Sequence, residues 1–155
     1  AAHKANAICI INDRLDIAIA SGADGVHLGP DDMHPADARR ILGPDKLIGV
    51  SASTLEEAAA VAQYASYFGV GAIFGTATKS DAGPPVGVDR IGEFKQAFPD
   101  HPIVAIGGIN HDNIEEVARA GADAAAVITA VVCAEEMERA ARDLIERFER
   151  GNKGI

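Results

Sequence analysis

The chain is expected to fold as a parallel α/β protein built from repeated strand–helix units. Three observations predict this. Short apolar runs alternate with amphipathic segments along the whole length. The runs carry no polar alternation, which is the pattern of strands covered on both faces. A Gly-Ala-Asp turn recurs where a helix ends and a strand begins, at Gly22-Ala23-Asp24 and Gly121-Ala122-Asp123.

In chain order, the apolar runs are Ala7–Ile11, Gly25–Leu28, Leu47–Val50, Tyr67–Phe74, Ile103–Ile106 and Ala124–Ile128. The amphipathic segments are Leu15–Ser21, Pro35–Leu42, Leu55–Tyr64, Ile91–Phe98, Ile114–Ala120 and Glu135–Glu149. Ser53 with Glu56, or Thr54 with Glu57, fits a capping box for the third helix. Asn110 stands where an N-cap is wanted. Gly22 and Gly121 fall where a helix needs a left-handed C-terminal residue. Ser80–Val88 reads as a mobile loop and Gly151–Ile155 as a frayed tail. No linker composition interrupts the chain, so residues 1–155 are expected to form one domain. Repeated βα units give a parallel sheet, either closed into a barrel or open and doubly wound. Six strands are too few for an eight-stranded barrel. The expectation is an open six-unit sheet, or a barrel whose N-terminal portion lies outside the sequence.

Composition narrows the function. A 155-residue chain with 48% hydrophobic content can bury a sizeable core. A formal net charge of −9 argues against a phosphate-tracking nucleic-acid surface and against a polybasic membrane contact. No apolar run approaches the roughly 20 residues that span a bilayer. Asn12, Asp13 and Arg14 cut the first run too short for a signal peptide. Cys9 and Cys133 sit in apolar segments and read as buried free thiols of a reducing compartment. A cytoplasmic protein is expected.

In parallel α/β folds the chemistry gathers at the carboxyl ends of strands. Those ends carry Asn12 and Asp13; Asp31 and Asp32; Ser51; Thr76, Ala77, Thr78 and Lys79; Gly107 and Gly108; and Thr129, next to Ile128. Carboxylates cluster on the early units. Donors suited to phosphate cluster on the later ones, where Thr76-Ala77-Thr78-Lys79 offers amides, hydroxyls and an ammonium together. Two carboxylates from adjacent strand ends can share Mg²⁺, a hard cation that keeps waters and grips substrate phosphates. Plainer readings stand beside these. Asp13, Asp31 and Asp32 could be helix caps, Gly107-Gly108 a tight turn, and His27 a satisfied core histidine.

Taken together, the stretches Ile11-Asn12-Asp13-Arg14, Gly22-Ala23-Asp24-Gly25-Val26-His27-Leu28-Gly29, Gly49-Val50-Ser51, Thr76-Ala77-Thr78-Lys79 and Ala105-Ile106-Gly107-Gly108-Ile109 resemble the thiamine-phosphate synthase family. The likeness runs from about Ala7 to Phe148. It implies a (βα)8 barrel of the TIM type, of which the last six βα units are visible here. It implies a Mg²⁺-dependent transferase that joins a hydroxymethylpyrimidine diphosphate to a thiazole phosphate and releases pyrophosphate. Carried over residue by residue, Asp13 and Asp32 would hold the metal. Asn12, Ser51 and Lys79 would bind the pyrimidine diphosphate, with Lys79 neutralising the leaving group and Lys79 and Ser51 the catalytic residues. Thr76, Ala77, Thr78, Gly107, Gly108, Ile128 and Thr129 would bind the thiazole phosphate. The partners implied are small molecules, and a homo-oligomer is compatible.

The family's Gln-x-Arg-x-Lys segment and its first two βα units have no counterpart here. Pro30 stands where Gln is common, Ala72 and Gly75 where Pro is frequent, and Thr129 where Ser is usual. Two other readings are a thiazole tautomerase-like paralogue and a non-catalytic barrel that binds a phosphorylated ligand. Ser53, standing where the tautomerase relatives are expected to carry a His, favours the synthase.

Overall fold

The computed structural model describes residues 1–75 and 84–153. Six strands follow a short 3-10 turn at Ala2–Ala5: β1 (Ile10–Asn12), β2 (Gly25–Leu28), β3 (Leu47–Ser51), β4 (Tyr67–Val70), β5 (Ile103–Ile106) and β6 (Ala124–Ala126). They lie in the sheet order β1-β2-β3-β4-β5-β6. The pairs β1–β2, β2–β3 and β5–β6 are parallel, with Asn12 opposite His27, His27 opposite Gly49 and Ala105 opposite Ala125. The helices are α1 (Leu15–Ser21), α2 (Pro35–Leu42), α3 (Leu55–Val61), α4 (Asp89–Ala97), α5 (Ile114–Arg119), α6 (Thr129–Val132) and α7 (Met137–Asn152). The chain divides into two compact units, Ala1–Phe68 and Gly69–Ile155.

In the first unit the core is made by Val26, Leu28, Ile48, Ala38, Ala58 and Phe68, each with no solvent exposure. Local chemistry sets the helix starts. Thr54 opens α3 with a reciprocal capping box: its hydroxyl accepts the Glu57 amide while the Glu57 carboxylate accepts the Thr54 amide. Glu57 also accepts from the Ser53 amide, so the partner of the box is Thr54 rather than Ser53. Helix α2 begins with Pro35, whose missing N–H costs nothing in a first turn, and His34 Nδ1 accepts the Ala36 amide. Arg39 ties the same unit together by donating to the carbonyls of Gly43, Lys46 and Tyr64 and to the Ser66 hydroxyl. A planar guanidinium has enough fixed donors to serve four acceptors at once.

In the second unit Phe94, Ile91, Ile103, Ala105, Val117 and Ala118 are fully buried. Helix α7 packs on α5, with Leu144 and Gly151 its buried residues. A Cβ at Gly151 would stand 2.6 Å from both the Ala118 Cβ and the Glu115 carbonyl oxygen. This close packing explains one departure from the sequence reading. The last helix continues through Gly151 to Asn152 instead of giving way to a frayed tail at Gly151, because a residue without a side chain is what the α5 surface accepts there.

The two Gly-Ala-Asp turns are the same device used once in each unit. Gly22 ends α1 in the left-handed region at φ 66, and Gly121 follows α5 at φ 97. The aspartate that follows then spans to the neighbouring strand. The Asp24 amide donates to the Cys9 carbonyl, and the Asp24 carboxylate accepts the Cys9 amide at 2.7 Å. Asp123 does the same to the carbonyl and amide of Ile103. Each acid also meets a basic side chain, His3 for Asp24 and Lys95 for Asp123. The turn thus supplies a side-chain extension of the strand ladder.

The Cys9 amide, and then His3, hold the Asp24 carboxyl below its ordinary 3.8. A carboxyl depressed in the folded state stabilises the fold above its unfolded value and loses that contribution as pH falls through its folded one. The wild-type chain is therefore expected to outlast Asp24→Asn in thermal melts at neutral pH, with the gap closing as the pH is taken below 3.8. A gap that stays constant in acid would show that the charge on Asp24 contributes nothing.

Several other local expectations change. Helix α5 is entered at Asn113 rather than at Asn110, because the Asn110 side chain accepts the Asp112 amide and builds the turn ahead of the helix. Strand β4 stops at Val70, and β6 at Ala126, both shorter than their apolar runs. Cys133 is exposed and Cys9 half-buried, so neither is the fully buried thiol that their apolar neighbours imply. Among the described residues no helix is long and apolar enough to cross a membrane.

Candidate active site

The first unit brings four of the predicted residues to the ends of three adjacent strands. Asn12 ends β1, Ser51 ends β3, and Asp13 and Asp32 follow β1 and β2. Asp13 adopts φ 64, a left-handed backbone that only Gly and, less readily, Asn and Asp enter. Its amide donates to the His27 carbonyl at 2.8 Å, and its carboxylate accepts the Asn12 side-chain amide at 2.6 Å. The N-cap of α1 is Arg14, with no side-chain cap, so helix capping does not account for Asp13. A strained non-glycine residue kept at a strand end is an observation that points to function.

Asp32 closes a turn onto its own loop. Its Oδ2 accepts the Gly29 amide at 2.7 Å, and its own amide meets the Gly29 carbonyl at 3.3 Å. Capping of α2 falls to His34, so Asp31 and Asp32 are not its caps. Among the described residues no cluster of three or more His, Cys, Asp or Glu could hold a metal ion by itself. Two carboxylates of hard oxygen fit a cation that draws its other ligands from water and substrate phosphate, the usual manner of Mg²⁺.

Ser51 is joined to two residues that the sequence reading leaves aside. Its hydroxyl lies 2.9 Å from His27 Nε2, and His27 Nδ1 lies 3.0 Å from the Tyr67 hydroxyl. His27 is thus hydrogen-bonded as expected, but it is only half-buried and reaches a predicted site residue. The signal in the sequence is the register. His27 sits opposite Gly49, and Gly49 and Ser51 share one face of β3.

The second unit carries the remaining predicted residues. Gly107 and Gly108 follow β5 with φ 101 and 67. The Phe74 amide donates to the Gly107 carbonyl at 3.0 Å, and the Ile73 amide to the Ile106 carbonyl at 2.8 Å. The Asn113 side chain donates to the Gly108 carbonyl at 3.0 Å, and Asn110 reaches the same oxygen at 3.4 Å. Asn113 thus joins the site as a residue that sets the Gly-Gly turn. Its place just before an apolar helical stripe is the cue that marks it. Ile128, about half-exposed, precedes Thr129, the first residue of α6. Thr76, Ala77, Thr78 and Lys79 lie outside the described residues, as does part of the Ser80–Val88 loop. A separate cavity of about 380 Å³ in this unit is lined by apolar residues such as Val127, Val131, Leu144 and Phe148 and holds none of the predicted residues.

A family model described as thiamine monophosphate synthase matches residues 1–131. A thiamine-phosphate synthase of Methanosarcina barkeri is 48% identical over 148 residues, covering 95% of this chain and 67% of the relative. One of Chloroflexus aurantiacus is 53% identical over 143 residues, covering 92% of this chain and 65% of the relative. The solved structure of a thiamine phosphate pyrophosphorylase from Pyrococcus furiosus superposes with a TM-score of 0.87 at 39% identity, over 96% of this chain and 71% of that one. The chain therefore spans about two thirds of the length of the relatives it matches. Six parallel strands, each followed by a helix, and these similarities place the chain by its fold among (βα) barrels of the TIM type and, by its sequence, in the thiamine monophosphate synthase family of transferases.

Proposed function

We propose that this chain is a thiamine-phosphate synthase: it joins hydroxymethylpyrimidine diphosphate to a thiazole phosphate and releases pyrophosphate. One observation carries the reading. The family match over residues 1–131 spans the metal, diphosphate and thiazole residues alike, since all of them lie between Asn12 and Thr129. Residues 1–155 are read as one barrel domain that acts on small molecules in the cytoplasm.

The chemistry needs no side-chain nucleophile. The carbon–oxygen bond of the pyrimidine diphosphate breaks, its electron pair leaves with pyrophosphate, and the thiazole nitrogen forms the new bond to the same carbon. Negative charge grows on the departing oxygen, so donors aimed there lower the barrier. Lys79 and Ser51 are assigned to that role. Asn12 helps to hold the pyrimidine diphosphate. Asp13 and Asp32 would hold Mg²⁺, which supplies charge neutralisation at the diphosphate. Amides of Thr76, Ala77, Thr78, Gly107 and Gly108, with Ile128 and Thr129, receive the thiazole phosphate. Positive-φ glycines suit that task, because a backbone without side chains lets an anion approach N–H groups closely.

Lys79→Ala is expected to lower the rate of pyrophosphate release by about 10²-fold or more, the scale of losing one charged donor at a developing anion. An unchanged rate would remove Lys79 from the mechanism.

A further inference from the structure

The first unit contains a polar chain of three side chains, of which the transferase reading uses only the last. His27 lies between two hydroxyls, with Nδ1 at 3.0 Å from Tyr67 and Nε2 at 2.9 Å from Ser51. The His27 and Tyr67 rings stack with centroids 5.5 Å apart and planes 30° apart. Strand β3 makes room for them with a glycine: a Cβ at Gly49 would overlap the Tyr67 ring and stand 2.5 Å from His27 Nδ1. The three side chains come from three strands, β2, β3 and β4, and their line ends on a residue assigned to the substrate.

We propose that Tyr67 and His27 are positioning residues that fix the direction of the Ser51 hydroxyl. The Tyr67 hydroxyl donates to Nδ1, which leaves the imidazole proton on Nε2; Nε2–H donates to Ser51 Oγ; and the Ser51 proton is turned outward as a donor. Which imidazole nitrogen carries the proton is set by the hydrogen bond made at the other. The polarity of the line follows from relative acidity. A phenol is a stronger donor and a poorer acceptor than an aliphatic hydroxyl, and an unprotonated imidazole nitrogen is a strong acceptor. The reverse order would ask the phenol oxygen to accept and would spend the serine proton inside the protein. Burial also pushes the Tyr67 hydroxyl above its ordinary 10.0, so it keeps its proton. Linked hydrogen bonds of this kind polarise one another, which strengthens the last donor in the row. Ser51 then presents O–H to the oxygen that leaves with pyrophosphate, so the inference rests on the transferase reading for its purpose but not for its geometry.

The test has a spectroscopic arm and a kinetic arm. Long-range ¹H–¹⁵N NMR of the full chain, about one unit or more above the ordinary imidazole value near 6.5, assigns the His27 tautomer. The expected spectrum shows Nε2 protonated in the wild type and the proton shared between both nitrogens in Tyr67→Phe. A wild type protonated mainly on Nδ1, or a tautomer unmoved by Tyr67→Phe, overturns the relay. In the kinetic arm Tyr67→Phe is expected to lower kcat for pyrophosphate release by about tenfold with KM unchanged, as for partners that orient a functional side chain. In a Ser51→Ala background the same substitution is expected to cost nothing more, because Tyr67 acts only through Ser51. Additive losses in the double variant overturn the relay. If the wild type releases no pyrophosphate while its tautomer is the expected one, the transferase reading fails and the relay stands.

Discussion

Asp32→Asn is expected to fold as the wild type does and to lose Mg²⁺-dependent pyrophosphate release by about 10²-fold or more. The two halves of that expectation have separate causes. The turn after β2 needs an acceptor for the Gly29 amide, which Asp32 Oδ2 provides at 2.7 Å, and an asparagine oxygen can accept the same bond. The metal needs charge, which the amide lacks. Asp13→Asn should behave alike. Asn enters the left-handed region as readily as Asp, so the φ 64 backbone is kept while the carboxylate is lost. Thermal melts and a pyrophosphate assay on the same preparations distinguish fold from function. Full activity in either variant would refute the metal assignment for that residue.

Gly107→Ala is expected to cause the largest loss of stability of any change proposed. A Cβ at Gly107 would sit 2.6 Å from both Cα and Cβ of Ala72, and its φ of 101 lies where L side chains are strained. The segment it would strike cannot easily retreat, since Ile73 and Phe74 donate to the carbonyls of Ile106 and Gly107. Left-handed strain of about 1–2 kcal/mol adds to overpacking of about 1–3 kcal/mol, roughly 3 kcal/mol together. For a chain of this length that is a fall in Tm of roughly 6–12 °C. Gly75→Ala is the control: among the described residues nothing lies within 4 Å of its Cβ position, so its Tm should barely move. Equal melting of the two variants would mean that the Gly-Gly turn yields, and that its conformation is not what prepares it for an anion.

Much of the fold can be read before any coordinates. Strands β2 and β5 begin and end where their apolar runs do, because both are fully committed to a sheet flanked by turn residues. Helices α1 and α2 also match, their ends set by Gly22 and by Pro35. What escapes the sequence is long-range. Nothing local reveals that Gly151 faces Ala118 across two helices, so the last helix looks shorter than it is. The aspartates of the repeated turn are visible as turn residues, but their bonds to Cys9 and Ile103 cross 15 and 20 residues.

The candidate site divides the same way. Asp13 and Asp32 stand out as acids after strands, and neither is the N-cap of the helix that follows. His27 looks like an ordinary strand histidine until register places it over Gly49 and against Ser51, and Tyr67 is 40 residues away in sequence. The sequence marks Asn110 rather than Asn113 as the helix opener, and the bond from Asn113 to Gly108 is not legible in it.

The proposed chemistry is a single displacement at a diphosphate carbon, with Asp13 and Asp32 assigned to the metal and Lys79 to the leaving group. Its most direct test is product analysis after mixing the chain with both substrates and Mg²⁺. One thiamine phosphate for each pyrophosphate released, with neither formed when the cation or either substrate is withheld, is the predicted result. Thermal stabilisation by thiazole phosphate with no product, or product formed equally fast under a chelator, would contradict it.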